Sequence, residues 1–157
     1  RVGKKCFIMI YSHIAHDCQV GDHVIMANNA TLAGHVQIGS RTVIGGMTPI
    51  HQFVKVGEMC MIGGASAVSQ DVPPFCLVEG NRAVVKGLNV VGLRRNLERS
   101  DVKALQEAYR LLFRGKAPIK ESATLLLENS DNARVRQLCQ FIQETKRGIP
   151  YERVTNE

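Results

Sequence analysis

The chain has 157 residues, 45% of them hydrophobic and 22% charged, which suits one ordinary domain or two small ones and excludes a disordered chain. No apolar run approaches the roughly 18 residues of a membrane span, and the opening RVGKKCFIMIYSH lacks a signal peptide's apolar stretch and cleavage site, so a cytoplasmic protein is expected. The net charge of +6 is uneven: residues 1–79 carry five Lys/Arg and five Asp/Glu, residues 80–157 fifteen and nine. A basic C-terminal half invites nucleic acid, an anionic membrane or an acidic protein, or is simply a solvated helical face.

From Val2 onward every sixth residue is a large aliphatic: Val2, Ile8, Ile14, Val20, Met26, Leu32, Ile38, Ile44, Ile50, Val56, Ile62 and Val68. The residue after it is usually small, and the one two places before it is small or β-branched. A period of six is too slow for a single strand and wrong for a helix; it is the signature of a parallel β-helix. Each hexad is a short strand and a bend, with the aliphatic inside and the small neighbour expected at the turn. Three hexads close a coil, so residues 18 apart stack in columns at about 4.8 Å. Cys6, Cys18 and Cys60 share one inward phase and read as buried core residues, and with no CxxC pair neither a disulfide scaffold nor a zinc ribbon is expected. The repeat starts in phase with no cap, so earlier coils are expected upstream.

Asp71-Val72-Pro73-Pro74 breaks the pattern, because two prolines cannot continue a ladder, and the β-helix, residues 1–74, is expected to end there. Residues 75–98 read as an extended, partly irregular connector. A helical domain follows over 99–157: Ser100 is the expected N-cap of DVKALQEAYRLLFRG, with Val102, Leu105, Ala108 and Leu112 on one face and Gly115 as its stop. IKESATLLLEN and NARVRQLCQFIQETKRG are two further amphipathic helices.

The fold alone gives no function. The stacking rule, however, puts His16, Gly34 and Gln52 in one column and Asp17, His35 and Phe53 in the next, with His13 and His51 close by. Four of the five histidines therefore share a strip two or three coils tall; His23, above Arg41, reads as surface. Histidine takes a proton near neutral pH, and a neighbouring carboxylate favours its charged form, which suits His16 beside Asp17 as a general base. Glycine lets a substrate approach the backbone, so the Gly34 N–H is a candidate oxyanion donor. Clustered histidines also suggest zinc, but zinc wants three convergent ligands and an open position, and Asp17 and Gln52 look more like hydrogen-bonding partners. No metal site is expected.

These residues carry a resemblance. HIAHDC (13–18), ANNATLAGHV (27–36), GGMTPIHQF (45–53), SQDVPPF (69–75), EGNRA (79–83) and LNVVGLRR (88–95) together resemble the UDP-N-acetylglucosamine O-acyltransferases of lipid A biosynthesis, along the whole chain and matching their C-terminal part. The resemblance implies a left-handed parallel β-helix of hexapeptide repeats followed by a small α-helical C-terminal domain, assembled as a homotrimer with sites in the clefts between subunits. It implies transfer of a 3-hydroxyacyl chain from acyl carrier protein to the 3-hydroxyl of UDP-N-acetylglucosamine, with no bound cofactor and the carrier's phosphopantetheine thioester as co-substrate. On that pattern His16 is the base, Asp17 its partner and Gly34 the oxyanion amide. His13, His35, His51 and Gln52 orient substrate or acyl chain, and Asn89 and Arg95 contact the nucleotide end. The acidic carrier, rather than nucleic acid or a stably inserted membrane, becomes the partner of the basic half, with Arg94, Arg95, Arg99 and Lys103 as candidates. Met61 and Gly64 match the region that meets the acyl tail, where the absence of a side chain at Gly64 implies a long chain. Arg82 stands where some members have histidine and Val91 where some have an acid.

Overall fold

The computed structural model describes residues 1–152; residues 153–157, at the end of the unit expected over 99–157, lie outside the described residues. Ten two-residue strands run in chain order: β1 (Phe7–Ile8), β2 (His13–Ile14), β3 (Gln19–Val20), β4 (Ile25–Met26), β5 (Thr31–Leu32), β6 (Gln37–Ile38), β7 (Val43–Ile44), β8 (Pro49–Ile50), β9 (Lys55–Val56) and β10 (Met61–Ile62). Every third strand pairs in parallel, so three sheets form the sides of a prism of about four turns. The registers join residues 18 apart, as in Phe7 with Ile25, His13 with Thr31 and Gln19 with Gln37.

Hydrophobic burial fills the prism as the repeat predicts. Met26, Leu32, Ile44, Ile50 and Ile62 point inward with at most 1% exposure, and the residues two places earlier, such as Val24, Ala30, Val36 and Val54, are sealed beside them. Thr42 and Thr48 take the same inward place by donating their hydroxyls to carbonyls of the next coil, Gly57 and Gly63, so neither hydroxyl is stranded in the core. Of the cysteines in this phase, Cys18 and Cys60 are buried and Cys6 is half-exposed.

The turns differ from expectation. The chain bends not at the small residue after the aliphatic but two places later, where Lys5, Tyr11, Asp17, His23, Asn29, His35, Arg41, Met47, Phe53, Met59 and Ala65 all have left-handed φ of 52–66°. The small residues serve coil stacking instead. A Cβ on Gly39 would lie 2.4 Å from the Glu58 nitrogen, and one on Gly57 2.4 Å from the Pro74 nitrogen. Adjacent coils leave no room for a side chain there.

The ladder also continues past the prolines. β11 (Cys76–Glu79) pairs in parallel with β10, extending one side of the prism beyond residue 74, and turns back antiparallel into β12 (Val84–Leu88). The last coil is shortened, so that Val72 meets Val56 at a separation of 16 rather than 18 and the prolines fall between bridges. The expected connector is thus a hairpin followed by a short helix, α1 (Val90–Asn96).

Three more helices follow: α2 (Arg99–Phe113), α3 (Ile119–Asn129) and α4 (Ala133–Glu144). Glu98, not Ser100, holds the N-cap position of α2, and no side chain caps it. Val102, Leu105, Ala108 and Leu112 are buried, as their spacing requires. Asn132 caps α4 by accepting from the Arg134 and Val135 amides, and the helix stops at Glu144, leaving Thr145–Gly148 outside it. Glu58 at a coil corner accepts from Arg134 (2.7 Å) and Gln137 (2.9 Å), fastening α4 to the prism.

Candidate active site at one corner of the solenoid

After β2 the chain turns through Ala15-His16-Asp17-Cys18, and the same corner is repeated by Ala33-Gly34-His35-Val36 and His51-Gln52-Phe53-Val54. Asp17, His35 and Phe53 hold the left-handed position, but so does one residue of every hexad, so this conformation belongs to the coil rather than marking a site. Backbone bonds set the column: the His35 N–H donates to the His16 carbonyl (3.0 Å) and the Phe53 N–H to that of Gly34 (3.1 Å).

The side chains converge on one carboxylate. His16 Nδ1 lies 3.0 Å from Asp17 Oδ2, and His35 Nε2 3.8 Å from the same oxygen. The two imidazoles meet edge to face at 5.1 Å, and His35 stacks on Phe53 at 4.6 Å, 13° from parallel. The hydrogen bond from His16, then the charge of His35, hold the Asp17 carboxyl below its ordinary range, so it stays an anion at neutral pH. Donation by Nδ1–H leaves Nε2 of His16 with a free lone pair. That nitrogen lies over Gly34: a Cβ there would sit 2.8 Å from both Nε2 and Cε1 of His16. Gly34 has no left-handed φ, so its glycine is required by the imidazole and not by the backbone. The His16 side chain is 68% exposed, open to a substrate.

His13 projects outward from β2 opposite Thr31 and is exposed. Exposed Gln52 continues the His16 column. His51 Nδ1 lies 3.1 Å from the Gln52 carbonyl and 3.4 Å from the Arg147 guanidinium. Phe53, as the platform for His35, and Gln70, which follows Gln52 in the column, were not singled out as site residues by the sequence; the 18-residue step reaches both.

The remaining candidates lie elsewhere. The Asn89 carboxamide donates to the Met59 carbonyl (2.9 Å) and accepts from the Gly92 amide, so it caps α1 and ties it to a coil. Arg94 and Arg95 are exposed in the last turn of α1. Arg94 joins Arg99, Lys103 and Arg110 around a groove of about 920 Å³ along α2. Met61 points outward from β10, and Gly64 stands at the next corner of the prism, where an added Cβ would meet only Gly46 backbone atoms at 3.6–3.8 Å. His16, Asp17 and His35 could offer a metal one ligand atom each, all within 4.8 Å.

Residues 71–150 match the family model described as UDP-N-acetylglucosamine O-acyltransferase, domain 2, and residues 1–34 match the bacterial transferase hexapeptide model. The chain belongs to the UDP-N-acetylglucosamine O-acyltransferase family. Relatives in this acyltransferase family include the acyl-(acyl-carrier-protein) UDP-N-acetylglucosamine O-acyltransferase of Campylobacter concisus, 56% identical over 96% of this chain and 57% of that protein. That of Helicobacter pylori is 48% identical over 96% of this chain and 56% of its own. Among solved structures, the acyltransferase from Campylobacter jejuni superposes with a TM-score of 0.94 at 58% identity, covering 98% of this chain and 60% of that one. The Arabidopsis UDP-N-acetylglucosamine acyltransferase gives 0.89 at 40% identity, over 95% and 56%. The chain thus spans less than two thirds of the length of these acyltransferases. Among the described residues, no helix is long and apolar enough to cross a membrane.

Proposed function

We propose that this chain carries the catalytic corner and helical cap of an acyltransferase that moves a 3-hydroxyacyl chain from acyl carrier protein to the 3-hydroxyl of UDP-N-acetylglucosamine, opening lipid A biosynthesis. One observation carries the reading: the Asp17-buttressed His16 imidazole presents Nε2 directly over Gly34. Nε2 takes the proton of the sugar hydroxyl as its oxygen attacks the thioester carbonyl. The tetrahedral oxyanion accepts from the Gly34 N–H, and collapse expels the phosphopantetheine thiolate, which recovers the proton from His16. Asp17 holds the tautomer and offsets the imidazolium charge in between. Transfer is direct, so no serine or cysteine nucleophile is needed.

His13, His35, His51 and Gln52 line the approach and orient substrate and acyl chain, and Asn89 and Arg95 serve the nucleotide end. The carrier docks on the basic groove of Arg94, Arg99 and Lys103, since an acidic partner complements it and guanidinium groups grip phosphate bidentately. A homotrimer is supported by the unequal sides of the prism. One side presents Phe7, Ile25, Val43, Met61 and Leu77 outward, apolar throughout, whereas another presents Gln19, Gln37 and Lys55. Gly64 and His16 stand at different corners, which suits a cleft shared between copies. Five unpaired cysteines fit a reducing cytoplasm.

The metal geometry of His16, Asp17 and His35 favours a second reading, a zinc-dependent hydratase-like trimer. The full-length protein is expected to form acylated sugar nucleotide from 3-hydroxyacyl carrier protein, insensitively to chelators. Stoichiometric zinc without acyl transfer would overturn the acyltransferase reading. In the same assay Gly64→Met, which the open space accommodates, is expected to disfavour long-chain donors relative to shorter ones by about tenfold or more, the scale of a pocket shortened by a few methylenes. An unchanged chain-length profile would remove Gly64 from the acyl site.

A further inference from the structure

The segment after α4 returns to the site column. Thr145 Oγ1 donates to Asp71 Oδ2 (2.7 Å), the Asp71 amide to the Gly148 carbonyl (3.1 Å), and Gln70 Nε2 to the Arg147 carbonyl (3.2 Å). The Gly148 N–H donates back to Thr145 Oγ1 (3.1 Å), and its left-handed φ of 82° suits glycine. These bonds bracket Arg147 on the coil above Gln52. Its guanidinium donates from Nη2 to the Ser69 carbonyl (3.2 Å) and faces His51 Nδ1 at 3.4 Å, while its Nε is buried without a partner among the described residues.

We propose that Arg147 is a positioning residue of the acyl-transfer site, holding His51 as the tautomer with Nδ1 unprotonated and Nε2–H aimed at substrate. Two groups compete for Nδ1. The Gln52 carbonyl at 3.1 Å would accept a proton from it, whereas the guanidinium, a fixed cation with no acceptor, faces it with N–H. The carbonyl is the nearer of the two, but it is neutral; the fixed positive charge of the guanidinium disfavours a proton on the facing Nδ1 and favours its lone pair. His51 then offers substrate a donor, complementing the lone pair that His16 offers. The effect on KM rests on the reading of His51 as substrate-facing; the tautomer does not.

The test separates the two. In full-length protein carrying 15N-labelled histidine, with the His51 signals identified by their loss in His51→Asn, the unsubstituted protein is expected to show a pyridine-like Nδ1 and a protonated Nε2 above pH 8. Arg147→Met is expected to shift His51 toward the opposite tautomer and to raise KM by about three- to tenfold with kcat little changed, and Arg147→Lys to restore both in part. A protonated Nδ1 in the unsubstituted protein overturns the proposal, even if Arg147→Met fails to fold. A tautomer that switches as described while KM stays constant would sustain the positioning contact and instead count against His51 facing substrate.

Discussion

Replacing His16 with alanine is expected to lower acyl transfer by about 10²–10⁴-fold, the contribution of a general base, without changing the assembly. The side chain is 68% exposed and rests against Asp17, His35 and Gly34 at the surface, so its removal leaves no buried cavity and strands no buried donor. The thermal midpoint is accordingly expected to move by no more than a few degrees, which makes the activity loss interpretable. The acid side of the pH profile has a fixed sign. Because the folded-state value of Asp17 lies below its ordinary 3.8, the contribution of the His16–Asp17 pair is fully present above that value and fades only as pH falls through the lower, folded one. Any loss of rate above about pH 5 therefore reports a group other than Asp17. If acyl transfer by His16→Ala were undiminished, the base would have to be sought at His13, His51 or a bound metal, with the fold untouched.

The solenoid was legible because its period is a packing constraint: an inward aliphatic every six residues is what a three-sided prism must bury, and the structure buries them from Val20 to Val68, while Val2 and Ile8 of the first turn are exposed and Ile14 is half-buried. The same 18-residue step correctly stacked His16 on Gly34 and Asp17 on His35. What the sequence hid were features with no period. Nothing local in Asp71-Val72-Pro73-Pro74 says that the following coil is two residues short and that Cys76–Glu79 rejoins the ladder, because that pairing is decided by distant backbone groups on β10. The turns lie two residues beyond the small positions because small residues mark two different things: freedom to bend, and lack of room beneath the next coil. In this chain they mark the second, while ordinary residues such as Tyr11, Arg41 and Met47 tolerate the left-handed bend. Asn89 shows a similar limit. A motif match suggests a ligand contact, but its carboxamide also caps a helix and holds a coil carbonyl, bonds that no spacing rule exposes. Arg147 was invisible as a neighbour of His51 because 96 residues separate them.

The substitution Gly34→Ala is expected to lower kcat by about 100-fold with almost no loss of stability. Alanine can adopt the backbone there, and its methyl would meet only the end of a flexible, exposed side chain, Cε1 and Nε2 of His16 at 2.8 Å. The imidazole must therefore shift, and displacement of a catalytic group by as little as about 1 Å costs on the order of 10²-fold. The neighbouring glycines provide the control. At Gly39 and Gly57 the same methyl would strike backbone 2.4 Å away, which no side-chain rotation relieves, so those alanine variants are expected to lose about 1–3 kcal/mol of stability. Measuring thermal midpoint and turnover for all three separates folding from chemistry: Gly39→Ala and Gly57→Ala should melt earlier, Gly34→Ala should melt normally and turn over slowly. Full activity in a stable Gly34→Ala protein would mean that the place of His16 over residue 34 is not the one from which it takes the proton.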